Sequence, residues 1–224
     1  MFHWHEEAEK LWDEKATFWN NKSRELWDEG SRSSIIPFFE NYVPKQSKVL
    51  DAGCGDGYGS YKLSKKGYDV TGIDISSQMI DNASKKVQDE PLSFVRGDLA
   101  KIPFPDNEFH ALIAINSIEW TENPLDVLQE MRRVIVKKGY MCVAILGPTA
   151  KPRENSYQRL YGKPAICNTM MPWEFKRLAL ENGFTLLDGQ GVYKRGITED
   201  ILTNLSEELK QSLTFMWVFM FQKI

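Results

Sequence analysis

Residues 49–59 read VLDAGCGDGYG. A short apolar run ends in a turn with glycine at every second position from Gly53 to Gly59, and Asp51 stands just before it. A glycine-rich turn behind a buried strand lets a ligand approach the backbone, and such turns often cradle phosphates. The acid opposes that reading, because a carboxylate at the mouth repels a phosphate and attracts a cation. The spacing opposes it too. A G-x-G-x-x-G turn needs its third glycine where Tyr58 or Ser60 stands, and no Gly-Lys-Ser/Thr ending follows.

The surrounding chain alternates between two periods. Strand patterns at 48–53, 68–75, 92–98, 110–118 and 140–146 alternate with helix patterns at 58–67, 76–88 and 124–139, the last stopped by Gly139. Strands and helices in this order imply right-handed crossovers and a parallel sheet covered on both faces. Residues 148–172 hold four of the ten prolines and read as a loop-rich insert. A helix at 173–183 and strands at 184–192 and 212–222 follow. The last strand is apolar on both faces, so it is expected to be central, and it need not run parallel to the rest.

The first 43 residues are rich in charge and tryptophan. Leu11 and Phe18, like Trp12 and Trp19, are seven apart and share one face of a helix ended by Gly30. Ser33 or Ser34 is expected to cap a second helix over 35–43, with Pro37 in its first turn. The expectation is a Rossmann-like, doubly wound α/β sheet of seven strands, mostly parallel with a late antiparallel strand, under an N-terminal helical cap. Its parts are the cap (1–45), the core (46–147), the insert (148–172) and a C-terminal helix with the last two strands (173–224). Ligands on such sheets bind at the carboxyl ends of the strands, near the point where strand order reverses.

Three acids fall at strand ends. Asp51 favours a cation, Asp74 can accept from both hydroxyls of a ribose, and Asp98 lies within reach of an exocyclic amine. The ligand implied is a cationic nucleoside with no phosphate. S-Adenosylmethionine, with an ammonium and a sulfonium, fits.

Five blocks carry a resemblance over residues 46–146: VLDAGCGDG, GIDIS with Met79 after it, VRGDLAKIPFPDNEF, AINSIEW and LQEMRRVIVKKGYMCVAI. They resemble the class I S-adenosylmethionine-dependent methyltransferases, in particular the small-molecule branch of ubiquinone and menaquinone C-methyltransferases. The resemblance implies that Gly53, Gly55 and Asp51 face the methionine part of the cofactor, and that Asp74 binds the ribose. Ile75 and Met79 would pack on the adenine, Asp98 and the Leu99 backbone would read its edge, and Asn116 would lie near the methionine carbonyl. S-Adenosylhomocysteine would be the product.

Three departures stand out. His110 replaces a common aspartate and Lys137-Lys138-Gly139 replaces Lys-Pro-Gly-Gly, both at strand entrances away from the site where they are expected to affect packing only, and Ile118-Glu119-Trp120 replaces a histidine-containing segment on the substrate side. Glu119 and His110 are the candidate bases, and Trp120 is a candidate aromatic face toward the sulfonium methyl or the acceptor. The N-terminal helix either packs on the sheet or roofs the cofactor. In the second case Trp19 or Arg32 touches it, since a guanidinium suits the methionine carboxylate. The insert, with Tyr157, Tyr161 and Met170-Met171, would wall the acceptor side. His3 and His5 read as terminal surface residues, and Cys54 as a small residue fitting its turn.

Composition narrows the rest. The 224 residues carry a formal charge of −3 with 42% apolar residues, which gives no electrostatic footprint for nucleic acid. Three cysteines match no zinc spacing and suit a reducing compartment. The N-terminus lacks a signal-peptide layout, and the stretch at 213–221 is too short to span a bilayer. The expectation is a cytoplasmic monomer or homodimer acting on a small molecule, without integral membrane contact. A binding protein that does not transfer methyl groups, and a nicotinamide oxidoreductase, are the alternatives.

Overall fold

The structure, a computed structural model, describes residues 2–87 and 91–224. Helix α1 (Trp4–Asp28) is followed by α2 (Ile35–Glu40). The chain then alternates through β1 (Lys48–Ala52), α3 (Tyr58–Ser64), β2 (Asp69–Asp74), α4 (Ser77–Ser84) and β3 (Leu92–Arg96). After β4 (Phe109–Ile115), a 3-10 turn (Ile118–Trp120) leads into α5 (Pro124–Val134) and β5 (Ile135–Leu146). A long 3-10 helix (Lys151–Tyr161), α6 (Pro172–Glu181), β6 (Phe184–Tyr193), α7 (Glu199–Leu202), α8 (Glu207–Ser212) and β7 (Thr214–Lys223) complete it.

The seven strands form one sheet in the order β3-β2-β1-β4-β5-β7-β6. The first five run parallel, and β7 lies antiparallel between β5 and β6. From β1 the chain steps outward to β2 and β3, then returns to place β4 on the other side of β1. The carboxyl ends of β1 and β4 therefore splay apart and leave a crevice.

The central place of β7 follows from its side chains. Trp217, Phe219 and Phe221 enter the core on one face of the sheet, while Met216, Val218 and Met220 enter the core on the other. A strand with period-2 side chains that are apolar at every step has no face to offer water, so it is buried on both sides.

Four details differ from the sequence expectation. Helix α5 stops at Val134 rather than Gly139, because the β-branched pair Ile135-Val136 turns extended and Ile135 pairs with Phe109 at the foot of β4. Ser34 precedes α2 without a side-chain capping bond; instead it receives the Gln190 amide at 3.3 Å, and Ser33 Oγ donates to Gly30 O. The short helices α7 and α8 occupy a stretch to which the sequence reading gave no element. The predicted helix over 76–88 ends at Ser84, and Gln88 lies outside the described residues.

Phe219 is fully buried on β7, an interior strand between β5 and the edge strand β6, with its ring 5.4 Å from Phe221 and 6.4 Å from Phe175. Phe219→Ala is expected to lower unfolding free energy by about 3–5 kcal/mol in urea denaturation. A loss below about 1 kcal/mol would contradict the central placement of β7.

Candidate functional site

A cavity of about 800 Å³ lies over the crevice. Its floor is the glycine turn after β1. Gly53 has φ of +78°, and a Cβ there would stand 2.3 Å from Ser117 Cβ, so the turn passes β4 only without a side chain. Gly53 N and Cys54 N both donate to Ile73 O, which holds the turn against β2. Gly55 has φ of +54°, yet a Cβ there would meet nothing nearer than Met79 Sδ at 4.0 Å. Gly55 thus leaves open a space that a side chain would fill, on the cavity side.

Carboxylates surround this turn. Asp51, at the end of β1, is 6% exposed and accepts a 2.6 Å bond from Ser60 Oγ. Burial pushes its pKa up to about 6; the Ser60 bond and the Arg32 charge pull it down, and Asp74 and Asp56 push it further up. Asp74, at the end of β2, accepts from Gly55 N at 2.9 Å and Ser76 N at 3.0 Å. Burial raises its pKa as well, against those two backbone bonds. Each of its oxygens keeps acceptor capacity for a ligand hydroxyl. Ile75, Met79, Asp98 and Leu99 continue the same wall.

The roof is α1. Ala8, Trp12, Lys15, Trp19 and Lys22 all line the cavity, at steps of four, three, four and three residues along one helix face. Asp13 ties the helix to the floor by accepting from Ser76 Oγ at 2.5 Å and Gln78 N at 3.2 Å, at the start of α4. Glu9 pairs with Arg96, and His5 Nδ1 lies 2.7 Å from Asp98 Oδ2. His5 is exposed, as the sequence suggested, and it also lines the cavity. Arg32 has its guanidinium 5.1 Å from the Trp19 ring and 5.7 Å from the Trp27 ring. Burial lowers its pKa, while Asp56, Asp51 and Glu119 hold it charged.

Three residues at the end of β4 divide in role. Asn116 adopts φ of +52° and turns its amide toward Ala144 O and Glu119, at 3.3 and 3.4 Å. Trp120 lines the cavity, donates to Asn116 O at 2.6 Å and meets the Trp12 ring edge-on at 5.3 Å. Trp4 Nε1 donates to Trp120 O, which joins α1 to this wall.

Two candidate bases are corrected by the structure. Glu119 is fully buried and absent from the cavity wall, because the 3-10 turn aims it beneath the end of β5. There it accepts from Leu146 N at 2.7 Å, and burial raises its pKa. Its role is to hold Leu146, which does line the cavity. His110 stands at the opposite end of β4, about 20 Å along the strand from Asn116, where it accepts from Lys48 N at 3.0 Å. Trp4, His5, Asp13 and Lys15 are the functional neighbours that sequence reasoning missed. The stripe at 8, 12, 15, 19 and 22 is the signal that was available for Lys15.

Comparison with known proteins agrees with this geometry. A protein-family model described as a methyltransferase domain matches residues 50–143. The biotin biosynthesis bifunctional protein BioHC of Teredinibacter turnerae is 28% identical over 151 residues, covering 62% of this chain and 26% of that protein. The malonyl-[acyl-carrier protein] O-methyltransferase of Enterobacter lignolyticus is 26% identical over 144 residues, covering 64% and 55%. The chain thus spans a quarter to about half the length of these relatives. Neither is a quinone-pathway enzyme, so that narrower resemblance gains no support from them. A chain from the solved complex between the Haloferax volcanii Trm112 methyltransferase activator and a putative methyltransferase shares the fold. It has a TM-score of 0.71 at 17% identity, covering 95% of this chain and 96% of that one.

The raised pKa of Asp51 has a consequence for stability. Between its ordinary value near 3.8 and about 6, the folded protein keeps a proton that the unfolded chain has lost. Stability from this group therefore falls as pH rises through that window and levels off above it. In urea denaturation the wild type is expected to lose about 2 kcal/mol between pH 4.5 and 7.5 that Asp51→Asn does not lose. Parallel pH profiles for the two proteins would contradict this.

Proposed function

We propose that the protein is a class I S-adenosylmethionine-dependent methyltransferase that transfers a methyl group to a small-molecule acceptor; the match of residues 50–143 to a methyltransferase-domain model supports this reading. The observation that carries this reading is the pairing of Asp51 and Asp74 around Gly53 and Gly55, at the floor of a cavity whose roof carries Trp12 and Trp19. At the glycine turn a phosphate meets the carboxylates of Asp51, Asp56 and Asp74, which repel it, whereas a cationic nucleoside is attracted by them. The open space at Gly55 and the spare acceptor sites on Asp74 fit it.

In this reading Asp74 accepts from the two ribose hydroxyls, and Asp51 holds the ammonium end over Gly53 and Gly55. Ile75 and Met79 pack the adenine, while Asp98 and the Leu99 backbone meet its edge. Arg32 offers its guanidinium to the carboxylate, steadied by Trp19. Asn116 shapes the turn beneath the methionine part rather than donating to it, since its amide is already spent inward. The cofactor supplies a methyl group on a cationic sulfur, which is already a good leaving group. The chain's own contribution is orientation and exclusion of water by Trp12, Trp19, Trp120 and Leu146. Neither Glu119 nor His110 serves as a base.

Among the described residues no helix is long and apolar enough to cross a membrane. We further propose a reducing, cytoplasmic setting, a monomer or homodimer, and no nucleic-acid substrate. The free cysteines and the net charge of −3 support that reading.

Isothermal titration with S-adenosylmethionine and S-adenosylhomocysteine tests the cofactor assignment. Both are expected to bind, and Asp74→Ala is expected to weaken them at least about tenfold through loss of hydrogen bonds to a charged acceptor. No binding by the wild type, or undiminished binding by Asp74→Ala, would overturn the proposal.

A further inference from the structure

The cavity is longer than the acid-lined floor, and its far end is built differently. There the 3-10 helix of the insert meets α1, and the wall is formed by Trp12, Trp120, Leu146 and Phe215. Four cations reach the cavity, and three of them are accounted for. Lys22 pairs with Glu25 at 3.1 Å. Arg32 faces the charges of Asp56 and Asp51. Lys151 is exposed at the rim, where Glu154 also stands.

Lys15 is the fourth. It is half-buried, and no carboxylate lies within ion-pair distance of it among the described residues. Its ammonium rests 5.4 Å from the Trp12 ring and makes a long 3.4 Å bond to a neutral acceptor, Asn155 Oδ1. Burial lowers its pKa, with only the through-space charge of its sequence neighbour Glu14 acting against that. A cation in such a place is poorly solvated and lacks a counter-charge. An anion arriving there gains more than it would in open water.

We propose that the acceptor is a small, flat, apolar carboxylate, with its carboxylate on Lys15 and its body against Trp12 and Trp120. This rests on the cofactor reading above and adds the substrate class. It also accounts for the charge layout: acids on the sheet side receive the cationic cofactor, and Lys15, the roof lysine not paired with a carboxylate, receives the anionic acceptor. Lys15 is a specificity residue here, since it touches the substrate's recognition group and not the cofactor.

The test uses the full chain saturated with S-adenosylhomocysteine, whose own binding is measured first. Failure of that binding would overturn the cofactor reading. The loaded protein is then titrated by calorimetry with 2-naphthoate and trans-cinnamate, and with 2-naphthamide and cinnamamide as neutral counterparts. The acids are expected to bind at least about tenfold more tightly than the amides. Lys15→Gln is expected to bring the acids to the level of the amides, with S-adenosylhomocysteine affinity unchanged, and Lys15→Arg to keep the preference. Equal binding of acids and amides, no binding of either acid, or a preference surviving in Lys15→Gln would overturn the assignment while leaving the cofactor reading intact.

Discussion

Burying Asp51 at the end of β1 costs free energy that one short bond from Ser60 and the charge of Arg32 only partly offset, which is why its pKa rises to about 6. A carboxylate held under that penalty gains from a cation placed beside it. Around it the glycine turn is forced into place from two sides. Ser117 crowds Gly53, and Ile73 O collects the two backbone donors that follow β1. The same turn gives Gly55 N to Asp74, so the turn that follows Asp51 on β1 is tied to the acid at the end of the adjacent parallel strand β2. Position, charge and openness of the floor all derive from this arrangement.

The roof depends on the floor in turn. Asp13 caps the start of α4 from outside, through Ser76 Oγ and Gln78 N, so α1 is registered against the elements that carry Asp74 and Met79. Trp4 and Trp12 then fix it to Trp120 beyond β4. Helix α1 therefore bridges both sides of the reversal point and encloses a cavity whose two ends differ in charge. Glu119 and Arg153 work beneath the far end, where Glu119 takes Leu146 N and Arg153 donates to Leu146 O, Gly147 O and Met170 O. These buried polar groups hold the insert to the end of β5, and with it the part of the cavity wall that carries Leu146.

Much of this was legible from local pattern. The strands of the core announce themselves by apolar runs between glycines, and β7 by its lack of a polar face. The glycine spacing with Asp51 separates a cationic ligand from a phosphate without any structure. His110 follows Phe109 at the start of β4, so strand polarity places it at the end of the sheet away from the site, as its place at a strand entrance already implied. What escaped the sequence was side-chain direction. Glu119 sits beside Trp120 in sequence, but a 3-10 turn sends one side chain under β5 and the other into the cavity. The end of α5 was missed because helix-compatible spacing continues into Ile135-Val136, where strand pairing wins. The stripe on α1 showed an amphipathic face through Trp12 and Trp19, but spacing does not tell whether that face meets a core or a ligand.

The central claim is that the acid-lined glycine turn holds a cationic nucleoside in a defined orientation. A crystal structure of the protein with S-adenosylhomocysteine tests it most directly. The account requires the ribose hydroxyls on Asp74, the adenine between Ile75 and Met79 near Asp98, and the ammonium over Gly53–Gly55 on the Asp51 side. Electron density placing the nucleoside elsewhere in the cavity, or reversed so that the ribose lies away from Asp74, would contradict it.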